Sequence, residues 1–288
     1  MNVRSDISVI IVTYNSRPFI RDCLEALAAG AGGASLETVV IDNDSADGSA
    51  EIAAGFPMVR VVRRGRNDGF ARAANLGLSL TGSRYTLFLN PDAVVTEGSI
   101  GSMKEYMDSH PDVAGVAPQL LNFDGTIQRS CREFPGLLTI LGEFLLMPWV
   151  RKMFPKLDRY RMGYFDHTGT REVDQPMASC LMLRRKILEG TGPLDESMPI
   201  FFNDVDLCRR IRECGGRIVF YPSARVYHYS GGSTRTMGIA KELHLARSMH
   251  RYMRKHSSTF SAYLSGLLLI VGFFLKTAEA AVERILRG

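Results

Sequence analysis

The sequence predicts an α/β fold: a mainly parallel sheet flanked by helices, followed by a helical C-terminal tail. Three observations carry this expectation. Aliphatic runs and helix-spaced segments alternate from Ile7 to Asp92. The runs are apolar at successive positions, the pattern of strands covered on both faces. Polar and often acidic residues come after each run, and an open parallel sheet binds its ligands beyond the carboxyl ends of its strands.

Ile7–Val12 is the first predicted strand, rich in β-branched residues. Ser16 and Pro18 offer an N-cap and an early-turn proline, and Phe19–Ala29 has helical spacing. Glu37–Ile41 is a second strand, after which Asp47-Gly48-Ser49 leads into a short helix. Met58–Val62 is a third strand and Asp68–Leu80 a second strong helix. Tyr85–Leu89, the fourth strand, stops abruptly at Asn90-Pro91-Asp92. Strands and helices repeating at this spacing are βαβ units.

The middle is less regular. Asp112–Ala117 reads as a strand, and Asp124-Gly125 within Asn122–Gly125 as a hairpin turn. Gly136–Trp149 is apolar apart from Glu143, and Arg151, Lys152, Lys156, Arg159 and Arg161 come next. Ala178–Leu183 is a buried strand, and Asp204–Cys214 a helix with Val205, Cys208 and Ile211 on one face. Ile218–Tyr221 and Arg225–Tyr229 read as two short strands.

The tail begins near Ile239. Lys241–His256 is a basic helical stretch carrying Lys241, Arg247, Arg251, Arg254 and Lys255 against Glu242. Ser257–Leu275 has no charged residue, and Lys276–Gly288 returns to amphipathic helix. The expected division is one domain over 1–238, with an apolar and basic insertion at 136–165, and a tail over 239–288.

The chain of 288 residues suits one α/β domain plus an appendage. A net charge of +5 favours acidic partners without choosing among nucleotides, lipid and nucleic acid. The five cysteines form no C-x-x-C pair, which argues against a zinc or redox motif and for reduced thiols. The N-terminus lacks the pattern of a signal peptide, so a cytoplasmic location is expected.

The polar segments after the strands hold the candidate chemistry. They are Thr13-Tyr14-Asn15, Asp42-Asn43-Asp44-Ser45, Arg63–Phe70 and Asn90-Pro91-Asp92. No G-x-G-x-x-G comes after the first strand, and no P-loop lysine motif is present, which excludes both phosphate-binding fingerprints. Asp92, behind a proline at a strand end, suits a hard divalent ion that takes diphosphate oxygens as further ligands. A turn aspartate satisfying local amides is an equal alternative. Asp204 and Asp206 lie in the first turn of a helix, where acids are common for dipole reasons alone. Phe201-Phe202 before them offers an apolar wall that would keep water from a base. His228 ends a strand, ahead of a glycine- and hydroxyl-rich run from Ser230 to Arg235, and is a third candidate for a metal or phosphate. The other histidines carry only structural expectations.

Taken together, five passages resemble the family 2 glycosyltransferases of the GT-A fold, a Rossmann-like architecture, and most nearly their bacterial rhamnosyltransferase-like branch. The passages are Ile10–Ser16; Val40–Ser49; Asn67–Ala71 with Asn75 and Gly77; Leu87–Asp92; and Gly192–Glu196 running on to Asp204–Arg210. Singly each is weak; in this order, within Ile7 to Thr234, they are specific. The resemblance implies that Thr13, Tyr14 and Asp42 hold the nucleoside of a nucleotide-sugar donor, with Asn15 also among the donor-binding residues. It places Asp44, Asn67, Gly69 and Phe70 near the ribose and diphosphate, with Asn75 and Asn90 also on the donor side. Asp92 and His228 would bind Mg²⁺ or Mn²⁺, and Asp204 would be the general base. Two positions depart from the family pattern. Asn90 stands where the metal motif has its first acid, and Asn203 stands where a glutamate precedes the base. Asp206 is then a structural acid.

The resemblance further implies an inverting sugar transfer, best matched to dTDP-rhamnose, onto a saccharide acceptor carried on a polyprenyl diphosphate, in cell-envelope polysaccharide synthesis. Ser257–Leu275 just reaches the length of a membrane span, but its serine-rich start fits a shallow or packed helix equally well. Basic residues beside it favour an anionic membrane surface, as a peripheral protein at the inner face of the cell membrane. Packing of the tail against the 136–149 segment, or a homodimer face, is the alternative. A nucleotidyltransferase is disfavoured by the glycine-poor Thr13–Arg17 segment, and Asn90 and Asn203 give some footing to a non-catalytic relative. Nucleic acid is disfavoured because no stacking-aromatic motif accompanies the basic residues.

Overall fold

The computed structural model describes residues 5–146, 153–229 and 237–287. The Ser230–Arg235 run and Trp149, Arg151 and Lys152 lie outside the described residues.

The N-terminal half has the expected alternation. Its elements are β1 (Ile7–Thr13), α1 (Ile20–Gly30), β2 (Leu36–Asp42), α2 (Ser49–Ala54), β3 (Val59–Arg63), α3 (Phe70–Ser79) and β4 (Tyr85–Leu89). Next come β5 (Ala93–Val95), α4 (Ser99–Ser109), β6 (Val113–Leu121), β7 (Ile127–Gln128), β8 (Cys131–Arg132) and α5 (Leu137–Ile140), which continues as a π turn over Leu141–Leu145. After a helical turn over Pro155–Asp158 and a 3-10 turn over Arg159–Arg161, the remainder comprises β9 (Arg171–Val173), β10 (Gln175–Pro176), β11 (Cys180–Arg184), α6 (Arg185–Thr191), α7 (Asn203–Glu213), β12 (Arg217–His228), α8 (Ile239–His256) and α9 (Thr259–Arg287).

The main sheet has the order β3-β2-β1-β4-β11-β6-β12-β5. β1, β2, β3 and β4 are mutually parallel, and so are β6 and β12. β11 runs antiparallel between β4 and β6. That reversal brings the residues just before Cys180 to the same sheet end as Asn90. The two short strands expected at Ile218–Tyr221 and Arg225–Tyr229 are instead one strand, β12. A register shift between Tyr221 and Arg225 interrupts its ladder around Pro222 without ending the pairing to β6.

β1 feeds both faces of the sheet, as an uninterrupted aliphatic run should. Ile7, Val9 and Ile11 enter one core with Ile20, Leu24 and Leu27 of α1 and Ile100 and Met103 of α4. Ile10 and Val12 enter the other with Ala74 and Leu78 of α3 and Leu207, Cys208 and Ile211 of α7. Burial also silences two of the thiols, Cys131 and Cys180, each pushed up to about 12.

A third core joins the tail to the body. Met249, Tyr252 and Met253 of α8 and Leu269 of α9 pack with Ile140, Phe144, Met198, Phe202 and Val205. Gly272 lets α9 approach closely, since a Cβ there would stand 2.8 Å from that of Phe144. The 136–149 segment and the tail therefore meet through their described residues. A buried ionic knot reinforces the contact. Asp206 has no exposed side-chain surface and pairs with Arg210 at 2.9 Å, Lys255 at 2.8 Å and His256 at 2.8 Å. Two of the basic residues of α8 are thus engaged internally, Lys255 here and Arg251 on the Ser197 carbonyl. Among the described residues no helix is long and apolar enough to cross a membrane.

Candidate functional site

The carboxyl ends of β1, β2 and β4 form one floor. Thr13 ends β1 fully buried, and its Oγ1 has no hydrogen-bond partner. Asp42 ends β2; its Oδ2 accepts the Ser45 amide at 3.2 Å, while its Oδ1 is buried and unpartnered. Buried polar atoms left open are costly unless a ligand completes them. Their position side by side, in register across β1 and β2, makes an acceptor-rich slot of the kind that reads a base edge. Tyr14 is exposed beside it. Asn15 and Asp44 adopt left-handed backbone, at φ 50° and 70°, and Asn15 Oδ1 accepts the Ala46 amide at 2.9 Å, so the two loops brace each other.

The loop after β3 closes one side. Asn67 Oδ1 accepts the Gly69 amide at 3.0 Å. Gly69 has φ 88°, and a Cβ there would stand 2.6 Å from Pro199 Cβ and 2.7 Å from its carbonyl oxygen. Only glycine allows this crossing of two chain segments. Asn43 was not singled out from sequence, yet its Nδ2 donates to the Gly69 carbonyl at 3.0 Å and its Oδ1 accepts from Arg64 at 3.3 Å. Phe70 packs edge-on against Phe88. Asn75, expected on the donor side, is committed elsewhere. It donates to the Leu194 carbonyl at 2.9 Å and Glu196 at 3.1 Å and accepts the Leu194 amide at 2.9 Å, which pins the 194–196 segment to α3.

Asp92 and His228 face one another at the end of β4. Each is 4% exposed, and His228 Nε2 stands 3.4 Å from Asp92 Oδ1 without hydrogen-bond geometry. Antiparallel pairing of β5 with β12 fixes the separation, because His228 is in register with Ala93. Gln128 Oε1 lies 2.7 Å from His228 Nδ1, and Gln128 in turn donates to Asn122 at 3.0 Å. An amide oxygen must accept, so Nδ1 carries a proton and Nε2 is the ring nitrogen turned toward Asp92. An anchored imidazole beside an open carboxylate oxygen is how a histidine is prepared for a metal. No group of three histidine, cysteine, aspartate or glutamate side chains converges among the described residues. Two protein ligands would suit Mg²⁺ or Mn²⁺, ions that keep several waters and need few protein side chains.

Asp204 opens α7. Its Oδ1 accepts the Val205 amide at 2.9 Å and its Oδ2 the Ala178 amide at 3.4 Å. The next residue, Ser179, accepts the Asn90 amide at 2.9 Å on its carbonyl, and its hydroxyl lies 3.4 Å from Asn90 Nδ2. One dipeptide thus spans from Asn90 to Asp204. Crowding by protein atoms pushes the Asp204 carboxyl above its ordinary range, against the pull of its backbone amides. A carboxylate with a raised pKa is a better proton acceptor for a hydroxyl. Phe202, the expected apolar wall, is buried in the third core against Tyr252, behind the first turn of α7.

Comparison with known proteins puts this geometry in a family. The family model described as Glycosyl transferase family 2 matches residues 8–191. An N-acetylglucosaminyl-diphospho-decaprenol L-rhamnosyltransferase of Mycobacterium tuberculosis is 28% identical over 78% of this chain and 76% of its own length. The succinoglycan biosynthesis protein ExoO of Rhizobium meliloti is 27% identical over 79% of this chain and 62% of its own. Among solved structures, the mannosyltransferase PcManGT of Pyrobaculum calidifontis, in complex with GDP-Man and Mn²⁺, aligns with a TM-score of 0.59 at 17% identity, over 98% of this chain and 76% of that one. The TarS 1–349 structure of S. aureus with UDP-GlcNAc aligns at 0.58 and 17%, over 92% and 70%. At such identities the structural likeness establishes the shared fold.

Proposed function

Because the chain belongs to glycosyl transferase family 2, we propose that it moves a sugar, with inversion, from a nucleotide-sugar donor to a lipid-linked saccharide in cell-envelope glycan synthesis. The observation that carries the reading is the facing pair Asp92 and His228, with Asp204 one dipeptide beyond. The open oxygens of Thr13 and Asp42 receive the nucleoside, and the Asn67–Phe70 loop borders its diphosphate. Asp92 and His228 hold a divalent ion, which when bound offsets charge on the departing diphosphate. Asp204 takes the proton of the acceptor hydroxyl as that oxygen bonds to the anomeric carbon. A single displacement assisted by one base inverts that carbon.

The mycobacterial relative supports L-rhamnose as the sugar and a prenyl diphosphate as the carrier of the acceptor. Calorimetric titration with dTDP, UDP and GDP, each with and without Mn²⁺, tests the donor side. We expect dTDP to bind best, in a Mn²⁺-dependent way, and Asp92→Asn to remove the Mn²⁺ dependence and weaken binding about tenfold or more. Equal, metal-independent binding of all three would sink the donor-site assignment.

We further propose that the protein works at the inner membrane face. α9 presents Phe260, Tyr263, Leu267 and Ile270 at 74%, 79%, 61% and 58% exposure, at helical spacing. An exposed apolar stripe on a helix too short of apolar length to span lies in the interface plane. Flotation with phosphatidylglycerol vesicles should carry the wild-type chain to the lipid fraction. The double variant Leu267→Asp, Ile270→Asp should stay behind; equal flotation of both would refute this face.

A further inference from the structure

Residues 194–199 form neither helix nor strand, yet they are sunk into two different cores. Leu194 enters the core shared by α3 and α7, and Met198 the core that joins the tail to the body. An irregular segment with buried anchors at both ends is a stiff strap rather than a loose loop. On one side the strap meets the loop after β3. Pro199 lies over Gly69, and its carbonyl accepts the Ala71 amide at 3.0 Å. Arg72 grips Glu196 at 2.8 Å, beside the Asn75 bonds to Leu194 and Glu196.

On a second side it meets the helix of the candidate base. Asn203, buried beside Asp204, donates its Nδ2 to the Met198 carbonyl at 3.0 Å. Only a side chain with a donor makes that bond, and a glutamate here would set oxygen against oxygen. The third side is the tail. Arg251 of α8 donates to the Ser197 carbonyl, and Lys255 Nζ reaches Asp195 at 2.9 Å. Asp195 in turn accepts the Ser197 amide at 3.0 Å, and its carbonyl accepts the Met198 amide at 3.0 Å. A continuous path of bonds and contacts therefore runs from α8 through Ser197, Met198 and Pro199 to Gly69 and Ala71.

We propose that Arg251 and Lys255 are positioning residues of the donor site: by fixing the strap they hold the Asn67–Phe70 loop in place, so that the seating of the tail sets nucleotide affinity. The inference rests on the transferase reading for its ligand. It adds a dependence of the donor site on a helix that, among the described residues, shares no hydrogen bond with Thr13, Asp42, Asp92 or His228. Packed side chains and hydrogen bonds along a stiff segment carry such a coupling, worth about two- to thirtyfold in affinity.

The test uses the full chain and two readouts: dTDP affinity with Mn²⁺ present, and amide hydrogen exchange across residues 67–73 without nucleotide. The double variant Arg251→Met, Lys255→Met should bind dTDP about fivefold more weakly and exchange those amides about fivefold faster. Arg251→Met alone, at an exposed position, should move both readouts the same way and serves if the double variant does not fold. Arg251→Lys should stay near wild type in both. Asp108→Asn is the control for a general loss of stability. It loses a partner of the Tyr85 hydroxyl, 2.6 Å away at the opposite end of the sheet, and should lower the melting temperature while leaving both readouts unchanged. Wild-type affinity and exchange in the double variant overturn the inference. Weaker dTDP binding without faster exchange overturns the path through the strap. Faster exchange in the variant, with none of dTDP, UDP and GDP bound by the wild type, upholds the strap and ends the donor reading.

Discussion

Asp204→Asn will lower the rate of sugar transfer about 10²–10⁴-fold, the usual value of one positioned base. Donor nucleotide affinity will hold, because among the described residues the Asp204 carboxylate is bonded to the Val205 and Ala178 amides and to none of Thr13, Asp42, Asp92 and His228. Steady-state kinetics beside nucleotide titration separate the two. An unchanged rate would remove Asp204 from the chemistry and favour a donor-binding protein without turnover. The same variant carries a stability signature. The folded pKa of Asp204 lies above the ordinary aspartate value of 3.8, so ionising it costs the fold free energy. That cost is absent below the unfolded value and complete once pH exceeds the folded one. Asp204→Asn should therefore melt higher than wild type near neutral pH, with the gain fading as pH falls toward 3.8. The active-site acid would then be one that the fold retains at a loss.

Asp206→Ala will destabilise the protein by about 3–5 kcal/mol, the cost of removing one partner from a buried ionic group. The carboxylate has no solvent exposure and holds Arg210, Lys255 and His256 together. Its loss leaves the His256 ring, 5% exposed, with Glu213 at 3.5 Å, and loosens α8 from α7. Denaturant melts measure the drop. A change under about 1 kcal/mol would mean that the third hydrophobic core alone secures the tail. Two acids two residues apart on one helical turn thus have opposite energetic signs.

Much of this was legible in sequence, for identifiable reasons. β1, β2, β3 and β4 lie within a residue or so of the ends read from sequence: β1, β2 and β4 because they are largely apolar runs ended by a polar turn, and the edge strand β3 because its valines alternate with exposed Arg60 and Arg63. α4 escaped notice although Ile100, Met103 and Met107 share a face, since serines and a glycine dilute the pattern. α6 buries only Leu188 and left no periodicity to read. Asp92, His228 and Asp204 were legible as strand-end or helix-start polar residues, and as a resemblance. Gln128, which sets the histidine tautomer, was not: it sits in a two-residue strand and meets His228 across 100 positions of chain. Asn75 shows the converse. Its motif was visible, but its amide is spent on Leu194, 119 positions away. Local patterns announce elements and strand-end chemistry; pairwise obligations between distant side chains appear only once the chain is folded.

The third core has a consequence for anyone cutting this chain. The family match ends at residue 191. A fragment trimmed to that match would discard Asp204, His228 and every α8 and α9 residue that covers Phe144 and Ile140. Such a fragment would be a recognisable motif carrier without being a foldable enzyme. The smallest functional module is set by where the last greasy face finds its cover, well downstream of the last recognisable motif.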